Sequence, residues 1–268
     1  MNTDAPAIGV IGGSGFYTLL ADAEEIRVDT PYGEPSDAVM VGSVDGRRVA
    51  FLPRHGRGHA FAPHTINYRA NLWALRSLGV RQILAPCAVG SLRRELGPGT
   101  IVVPDQLVDR TSGRVQTYFE AGAAHVSFAD PYCRAGRSTV LRAVAAAGTE
   151  AHDGGTMVVV EGPRFSTRAE SQWFAAAGWS LVNMTGHPEA VLARELALCY
   201  TSVALVTDLD AGIDAEESVA QDEVFTVFAE NTERLRGVIL EAVRMLPENR
   251  DCACATVLDG MSLPIELP

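Results

Sequence analysis

Positive charge is what this sequence has least of: 22 Lys and Arg stand against 33 Asp and Glu, a formal net charge of −11. A surface for nucleic acid or for an anionic membrane needs the opposite balance, so neither is expected as a partner. A small anion needs only a local basic pocket and stays allowed. Long apolar runs are also missing. None approaches the roughly 18 residues that span a bilayer. The start, MNTDAPAIGVIGGSG, has no basic stretch and is not expected to be a signal peptide. Cysteine is sparse and odd in number: Cys87, Cys133, Cys199, Cys252 and Cys254. That usage fits a reduced, cytoplasmic enzyme better than a disulfide scaffold. Cys252-Ala-Cys254 is the exception. It reads either as a redox or stapling element, or as chance neighbours in a mobile tail. Repeats and low-complexity segments are absent.

What is present can build a core. Hydrophobic residues make up 47% of the 268 and charged residues 21%, which excludes global disorder. Short apolar runs read as strands at Ala7–Ile11, Ala38–Val44, Arg48–Leu52, Gln82–Ala85, Thr100–Val103, Thr156–Val160, Ser180–Val182 and Tyr200–Val206. Helical spacing marks Pro63–Leu78, Arg137–Ala147, Ser166–Ala177, Pro188–Leu196 and Ala220–Leu246. Several strands are almost continuous in Val, Ile, Leu and Ala, as strands covered on both faces are. The alternation predicts one three-layer α/β domain over residues 1–268, with a largely parallel twisted sheet between helices. An irregular tail runs from about Pro247. Ligands in such folds bind at strand ends. Gly113–Pro131 reads as a long loop of the kind that is often functional.

Six segments carry chemistry. GVIGGSGFY (Gly9–Tyr17) runs from a strand into a glycine turn with Ser14 as a donor. It is either an anion cradle or a plain tight turn, since neither a full dinucleotide fingerprint nor GK[ST] is present. LPRHGRGH (Leu52–His59) gathers Arg54, His55, Arg57 and His59. Arginine forks onto phosphate oxygens and histidine adds a bond. The alternatives are an exposed charged turn, or a metal set of His55, His59 and His64. The metal reading is disfavoured because two arginines repel a cation and no acid joins the histidines. PCAVGSL (Pro86–Leu92) offers close backbone approach, with Cys87 a nucleophile by type but inert packing by surroundings.

EGPRFSTRAE (Glu161–Glu170) turns into a helix, with Ser166 as N-cap and Phe165 able to stack on an aromatic ligand. NMTGHPEAVLARE (Asn183–Glu195) leaves a strand with Asn183, Met184 and Thr185 facing a ligand. VTDLDAG (Val206–Gly212) ends a buried strand in Asp208 and Asp210. Carboxylates rarely enter an interior unpaired, so this pair must face something.

Together GGSG, RHG, EGPRFSTRAES, NMT-x-x-PE and TD-x-D resemble the methylthioadenosine phosphorylase branch of the trimeric purine nucleoside phosphorylase family, from about Ile8 to about Arg236. The resemblance implies an α/β domain around a mixed sheet, a homotrimer (or a hexamer) and phosphorolysis of a nucleoside. Inorganic phosphate is then a co-substrate, with no cofactor and no metal. It assigns phosphate to Ser14, Arg54, His55, Cys87, Ala88 and Thr185, although family members often carry Thr where Cys87 stands. Phe165 and Ser166 match the base pocket, Met184 the ribose contact, and Asp208 and Asp210 the purine-reading acids. His125 matches a residue reaching a neighbouring subunit's site. Val219, Val224 and Phe225 match an apolar 5′ pocket, where Gln221 departs from the usual apolar residue. The tail is expected to contact a neighbouring subunit.

The chemistry suits the residues. Cleaving the bond from purine N9 to C1′ leaves electrons on the base and positive charge on the sugar. Held phosphate supports the sugar and attacks it. A carboxyl kept neutral by burial beside another carboxylate protonates N7. Asp208 is given that role and Asp210 the exocyclic amine, or the two roles exchanged. Carboxylates accept from a 6-amino group and mismatch a 6-oxo group, which favours adenine. A hydrolytic nucleosidase would need no anion cradle, and a nucleoside-sensing module would need no intact acid pair.

Overall fold

A computed structural model describes residues 5–13, 16, 20, 23–122, 124–214 and 219–268. The chain opens with β1 (Ile8–Gly12), β2 (Glu24–Ile26), β3 (Val39–Val44) and β4 (Arg47–Pro53), then a 3-10 turn at Arg57–His59 and α1 (Tyr68–Ser77). Strands β5 (Gln82–Ser91), β6 (Ile101–Val103) and β7 (Gln106–Arg110) precede α2 (Arg134–Ala146). Next come β8 (Ala151–Asp153), β9 (Thr156–Val160), α3 (Arg168–Ala176), β10 (Leu181–Asn183) and α4 (Gly186–Glu195). β11 (Cys199–Leu209), α5 (Gln221–Met245) and the short α6 (Ala253–Thr256) complete it.

The eight expected strands are all present in one mixed, largely parallel sheet, as expected. β1 pairs parallel with β4 and with β5, and β11 pairs parallel with β5. β10 pairs antiparallel with the far end of β5. Strand β5 is the hinge of the architecture: β1, β10 and β11 all pair with it. Its ten residues reach past the expected end at Ala85, so PCAVGSL lies mostly inside the strand instead of after it. Small side chains there leave room for neighbours on both edges.

Two apolar layers close over the sheet. On one face α1 and α4 bury Leu72, Trp73, Leu75, Leu192 and Leu196 against Ile11, Leu52 and Ile83. On the other, α2 and α5 bury Val140, Val144, Leu235, Ile239 and Val243 against Val10, Leu84 and Val203. Successive residues Val10 and Ile11 face opposite layers, as strand geometry requires.

Three strands were not anticipated: β2, β7 and β8. β2 (EEI) and β8 (AHD) are short, partly exposed edges without the apolar run that marks a covered strand. Helix starts also differ: α2, for one, begins at Arg134, three residues before the expected Arg137, with Cys133 as its N-cap. Helix α1 begins at Tyr68, not Pro63, because the Asn67 side chain accepts the Ala70 amide. Helix α3 is capped by Thr167, not Ser166: Thr167 Oγ1 accepts the Glu170 amide, and the Glu170 carboxylate accepts the Thr167 amide. That shift releases Ser166 from structural duty. Among its described residues, the Gly113–Pro131 stretch is irregular, as expected. No helix among the described residues is long and apolar enough to cross a membrane.

Candidate active site

A cavity of about 530 Å³ opens where the loops after β4 and β9, the ends of β10 and β11 and the start of α5 converge on the middle of β5. Its lining includes Arg54, His55, Cys87, Ala88, Phe165, Ser166, Asn183, Met184, Thr185, Asp208, Asp210, Val224 and Phe225. Thirteen residues from six separate stretches of sequence thus meet in one place. Ser14 lies outside the described residues. Val219 and His125 do not line this cavity; Val219 is half-buried and His125 exposed.

The acidic end is made by β11. Its pairing with β5 slips between Val206 and Asp208, so Thr207 is an extra residue. Such a bulge re-aims the side chains that follow it. After it, Asp208 pairs with Gly90, and the Asp210 amide donates to Ser91 O at 2.8 Å. Both carboxyls consequently reach the cavity. Gly90 leaves room for this carboxyl: a Cβ at this position would stand 2.9 Å from Asp208 Oδ2 and force it to shift. Burial is the main reason the Asp208 carboxyl is raised, to about 6, with the Asp210 charge adding to it and the Thr207 hydroxyl opposing. Thr207 Oγ1 donates to Asp208 Oδ1 at 2.7 Å. Asp210 is also raised by burial, but it accepts a 2.5 Å bond from Ser171 Oγ, which favours its charged form. The buried Ser166 Oγ is near enough to Asp210 to favour its charge, yet makes no hydrogen bond of ordinary geometry. The pair is therefore asymmetric, with Asp208 the readier to hold a proton.

The basic end differs from expectation in three ways. Arg54 is 2% exposed, and its fork is already occupied. Nε and Nη2 donate to the two oxygens of Glu189 at 2.7 and 2.9 Å, Nη2 also donates to Ile11 O, and Nη1 to Pro86 O. Burial works against this charge, and Glu189 more than offsets it. Of its five N–H groups, one on Nη1 remains for an anion. Second, His55 Nδ1 lies 2.9 Å from Phe61 O, so Nδ1 carries the proton and donates. Burial lowers His55 to about 4, so the ring is neutral near pH 7, and Nε2 is left as the acceptor of a residue that lines the cavity. It can bind a protonated phosphate oxygen but not donate to a bare one. Third, Arg57 points away, paired with Glu25 and Asp37 at the surface. The cluster LPRHGRGH is thus split between site and surface. His59 stays with the site, stacked on His55 with ring centroids 4.1 Å apart.

Cys87 Sγ lies 3.6 Å from Ser202 Oγ, and burial pushes its thiol up, so it is a neutral group and not a nucleophile. Thr185 is buried at the start of α4 with its side chain free of capping duty. Asn183 is mostly committed to the fold. Its Oδ1 accepts the Thr185 and Gly186 amides, and its Nδ2 donates to Ala88 O at 3.1 Å. It shapes the site by holding β10 against β5 more than by offering polar atoms to a ligand. Phe165 is half-buried; Val224, the exposed Phe225 and Gln221 form one wall from the first turns of α5.

Residues 7–244 match the model of the phosphorylase superfamily. This chain belongs to the phosphorylase superfamily. It is 62% identical to a purine nucleoside phosphorylase of Streptomyces coelicolor, with 97% of each chain covered. It is 59% identical to an S-methyl-5′-thioadenosine phosphorylase of Mycolicibacterium smegmatis, covering 97% of this chain and 99% of that one. Among solved structures, a methylthioadenosine phosphorylase from an antarctic soil metagenomic library superposes with a TM-score of 0.90 at 42% identity. The match covers 96% of this chain and 92% of that one.

Sequence reasoning missed four contributors to the geometry of this cavity. Glu189 belongs to the quoted NMT-x-x-PE but reads as an ordinary first-turn acid; it is 1% exposed and accepts from Arg54 and from Tyr200 OH. Ser171 looks like any helix residue until Asp210 is placed beside it. Gly90 has no signal beyond its small size. Arg114, from the long loop, donates to the carbonyls of Met184, His187 and Glu161 at 2.9, 2.6 and 2.7 Å. That one buried guanidinium ties two walls of the site together. A lone arginine in an irregular loop carries no mark of this duty.

Proposed function

We propose that this chain cleaves S-methyl-5′-thioadenosine with inorganic phosphate, giving adenine and 5-methylthioribose 1-phosphate. The observation that carries the proposal is the asymmetric acid pair. Asp208, raised to about 6, can deliver a proton to purine N7, while Asp210, steadied by Ser171, keeps a charge to accept from the 6-amino group. At the opposite end, the free Nη1 proton of Arg54, the Thr185 hydroxyl and the Ala88 segment hold phosphate. His55 accepts from the phosphate's own proton. Ser14 and the glycine turn are placed with this set by resemblance, and the Cys87 contribution is its backbone N–H. Phosphate fixed below the sugar both stabilises the cationic ring and attacks C1′. The name of the S-methyl-5′-thioadenosine phosphorylase of Mycolicibacterium smegmatis supports the same reaction, and that of the purine nucleoside phosphorylase of Streptomyces coelicolor supports the second reading below.

Phe165 and Ser166 line the base, Met184 the ribose, and Val224 with Phe225 the 5′ group. Phe225 is 47% exposed, and His125 is exposed beyond the lining of its own cavity. Both features suit a homotrimer in which His125 and the tail complete the neighbour's site. Residues 1–268 are read as one domain, working in the cytoplasm without a cofactor.

A second reading, a purine nucleoside phosphorylase acting on adenosine or 6-oxopurine nucleosides, is favoured by Gln221. A polar side chain in the 5′ wall can meet a 5′ hydroxyl. Base release from methylthioadenosine, adenosine, methylthioinosine and inosine, with and without phosphate, separates the readings. Release from methylthioadenosine that requires phosphate and exceeds the other three is the expected result. Release without phosphate would overturn phosphorolysis, and preference for inosine would overturn the role of the acids.

A further inference from the structure

Away from the cavity, four of the five cysteines converge. Cys133 caps the N-terminus of α2, Cys199 opens β11, and Cys252 and Cys254 bracket the start of α6 in the tail. Their four sulfurs all lie within 4.8 Å of one another, and Cys199 and Cys252 are 3.4 Å apart. Three of the four are buried and Cys252 is half-buried. None lines the cavity.

The fold builds this meeting point deliberately. A Cβ on Gly136, in the first turn of α2, would be 2.0 Å from Thr201 Oγ1, so only glycine lets α2 close onto β11 there. The Cys133 amide donates to Tyr200 O at 2.8 Å, locking the two core cysteines side by side. The tail is held by other bonds: Gln82 Nε2 to Pro247 O at 2.8 Å and Arg250 Nη1 to Ala197 O at 2.6 Å. Two cysteines, one residue apart, are then delivered onto the core pair.

Four mutually adjacent sulfurs are more than disulfides need. A bridge joins two sulfurs and draws no second pair to the same point. A tetrahedral centre does: zinc–sulfur bonds of ~2.3 Å put the sulfurs about 3.8 Å apart along every edge. The ligand set has no carboxylate and no imidazole, so it suits a soft cation and not Mg2+ or Ca2+.

The surroundings fit the charge such a centre would carry. Four thiolates on Zn2+ leave −2, which needs cations or N–H donors. The Gly136 amide points to Cys133 Sγ at 3.4 Å, and Arg250 Nη1 is 4.0 Å from Cys199 Sγ. Arg76, Arg81 and Arg250 gather behind Cys199, and their side chains donate to backbone carbonyls. Among the described residues, none of these three guanidinium groups forms an ion pair with a carboxylate. A positive cluster without acids is completed by an anionic metal–thiolate group next door.

We propose that Cys133, Cys199, Cys252 and Cys254 form a structural zinc site that fastens the C-terminal tail to the α2–β11 core. Four Zn–S bonds form as four S–H bonds break: Zn2+ and four thiols give the tetrathiolate dianion and four protons, with no redox change. All four positions are protein ligands, leaving none open for catalysis. Beyond α6, Ile265 and Leu267 return to pack against the layer around Trp73 and Tyr118, so the metal would anchor a segment that rejoins the core.

The test uses the full chain, purified without an affinity tag that binds metal, in reductant and in medium containing zinc. Elemental analysis is expected to find about one zinc per chain, retained through dialysis. Replacing the zinc with Co2+ should produce the absorption of a tetrahedral tetrathiolate at one equivalent. Cys254→Ser should abolish retention. Cys252→Ala, at the half-buried corner, should lose the tetrathiolate spectrum even if the buried variant does not fold. Intact protein with no zinc that takes up none on reconstitution overturns the proposal. So does a mass showing disulfides among these residues in protein prepared under reductant. Zinc still bound at full stoichiometry by both variants would place it elsewhere and also overturn it.

Discussion

Asp208→Asn should make this protein more stable and less active, and the stability gain should depend on pH. The acid is raised from 3.8 to about 6, chiefly by burial. Below about pH 4 it is protonated whether the chain is folded or not, and contributes nothing to the balance. As pH rises from 4 to 6 the unfolded chain ionises first, and the folded protein loses stability by holding a proton it must eventually release. Above that range the full penalty applies. At ~1.4 kcal/mol per pH unit, the interval is worth ~3 kcal/mol near pH 8, and about half of that at pH 5. Asparagine is neutral throughout, fills nearly the same volume and can still accept from the Thr207 hydroxyl. For a chain of this size, melting should rise by roughly 5–10 °C at pH 8 and by clearly less at pH 5. The assay is thermal unfolding without substrate across that range, beside turnover of methylthioadenosine. Loss of the proton donor should lower kcat by ~10²-fold or more. A melting difference that is flat with pH would refute the buried-acid argument, and unchanged turnover would refute the proton transfer.

Gly90→Ala should push against Asp208 Oδ2 and lower kcat/KM by ~10-fold or more while leaving the KM for phosphate nearly constant. A loss confined to phosphate binding would contradict it. Glu189→Gln leaves the Arg54 charge buried without its partner, at a cost of ~3–5 kcal/mol. Saturating phosphate should restore more of the variant's melting temperature than it adds to the parent, and equal increments would show that Arg54 does not face the anion. His55→Ala removes the acceptor for the phosphate proton, so steady-state kinetics should show the phosphate KM rising ~10-fold, near 1.5 kcal/mol. A change in the nucleoside KM instead would move His55 to the sugar.

The alternation of apolar runs with helical spacing was enough to read the layered fold, because each covered strand and each amphipathic helix announces its buried face locally. It missed β2 and β8, whose stability comes from a neighbour's edge and not from their own residues. The same contrast runs through the site. Asp208 and Asp210 were conspicuous because acids at the end of a buried strand violate a local rule. Arg54 was conspicuous too, but its charge state was not: nothing in RHG reveals that Glu189, 135 positions later, already occupies its fork. The histidine ring was legible as a ligand for an anion, and only the Phe61 carbonyl shows which nitrogen is left to do it.

By itself, then, the sequence determined the layered α/β plan, the strand ends where chemistry collects, and the presence of two acids and a basic turn. These follow from side-chain patterning over a few residues. Tertiary structure alone decided which acid is the readier to take a proton, how much of Arg54 is free, and that cysteines at 133, 199, 252 and 254 meet at one point. Each of those depends on burial and on partners brought from distant parts of the chain, and dielectric surroundings and long-range pairing are not written in any short stretch of residues.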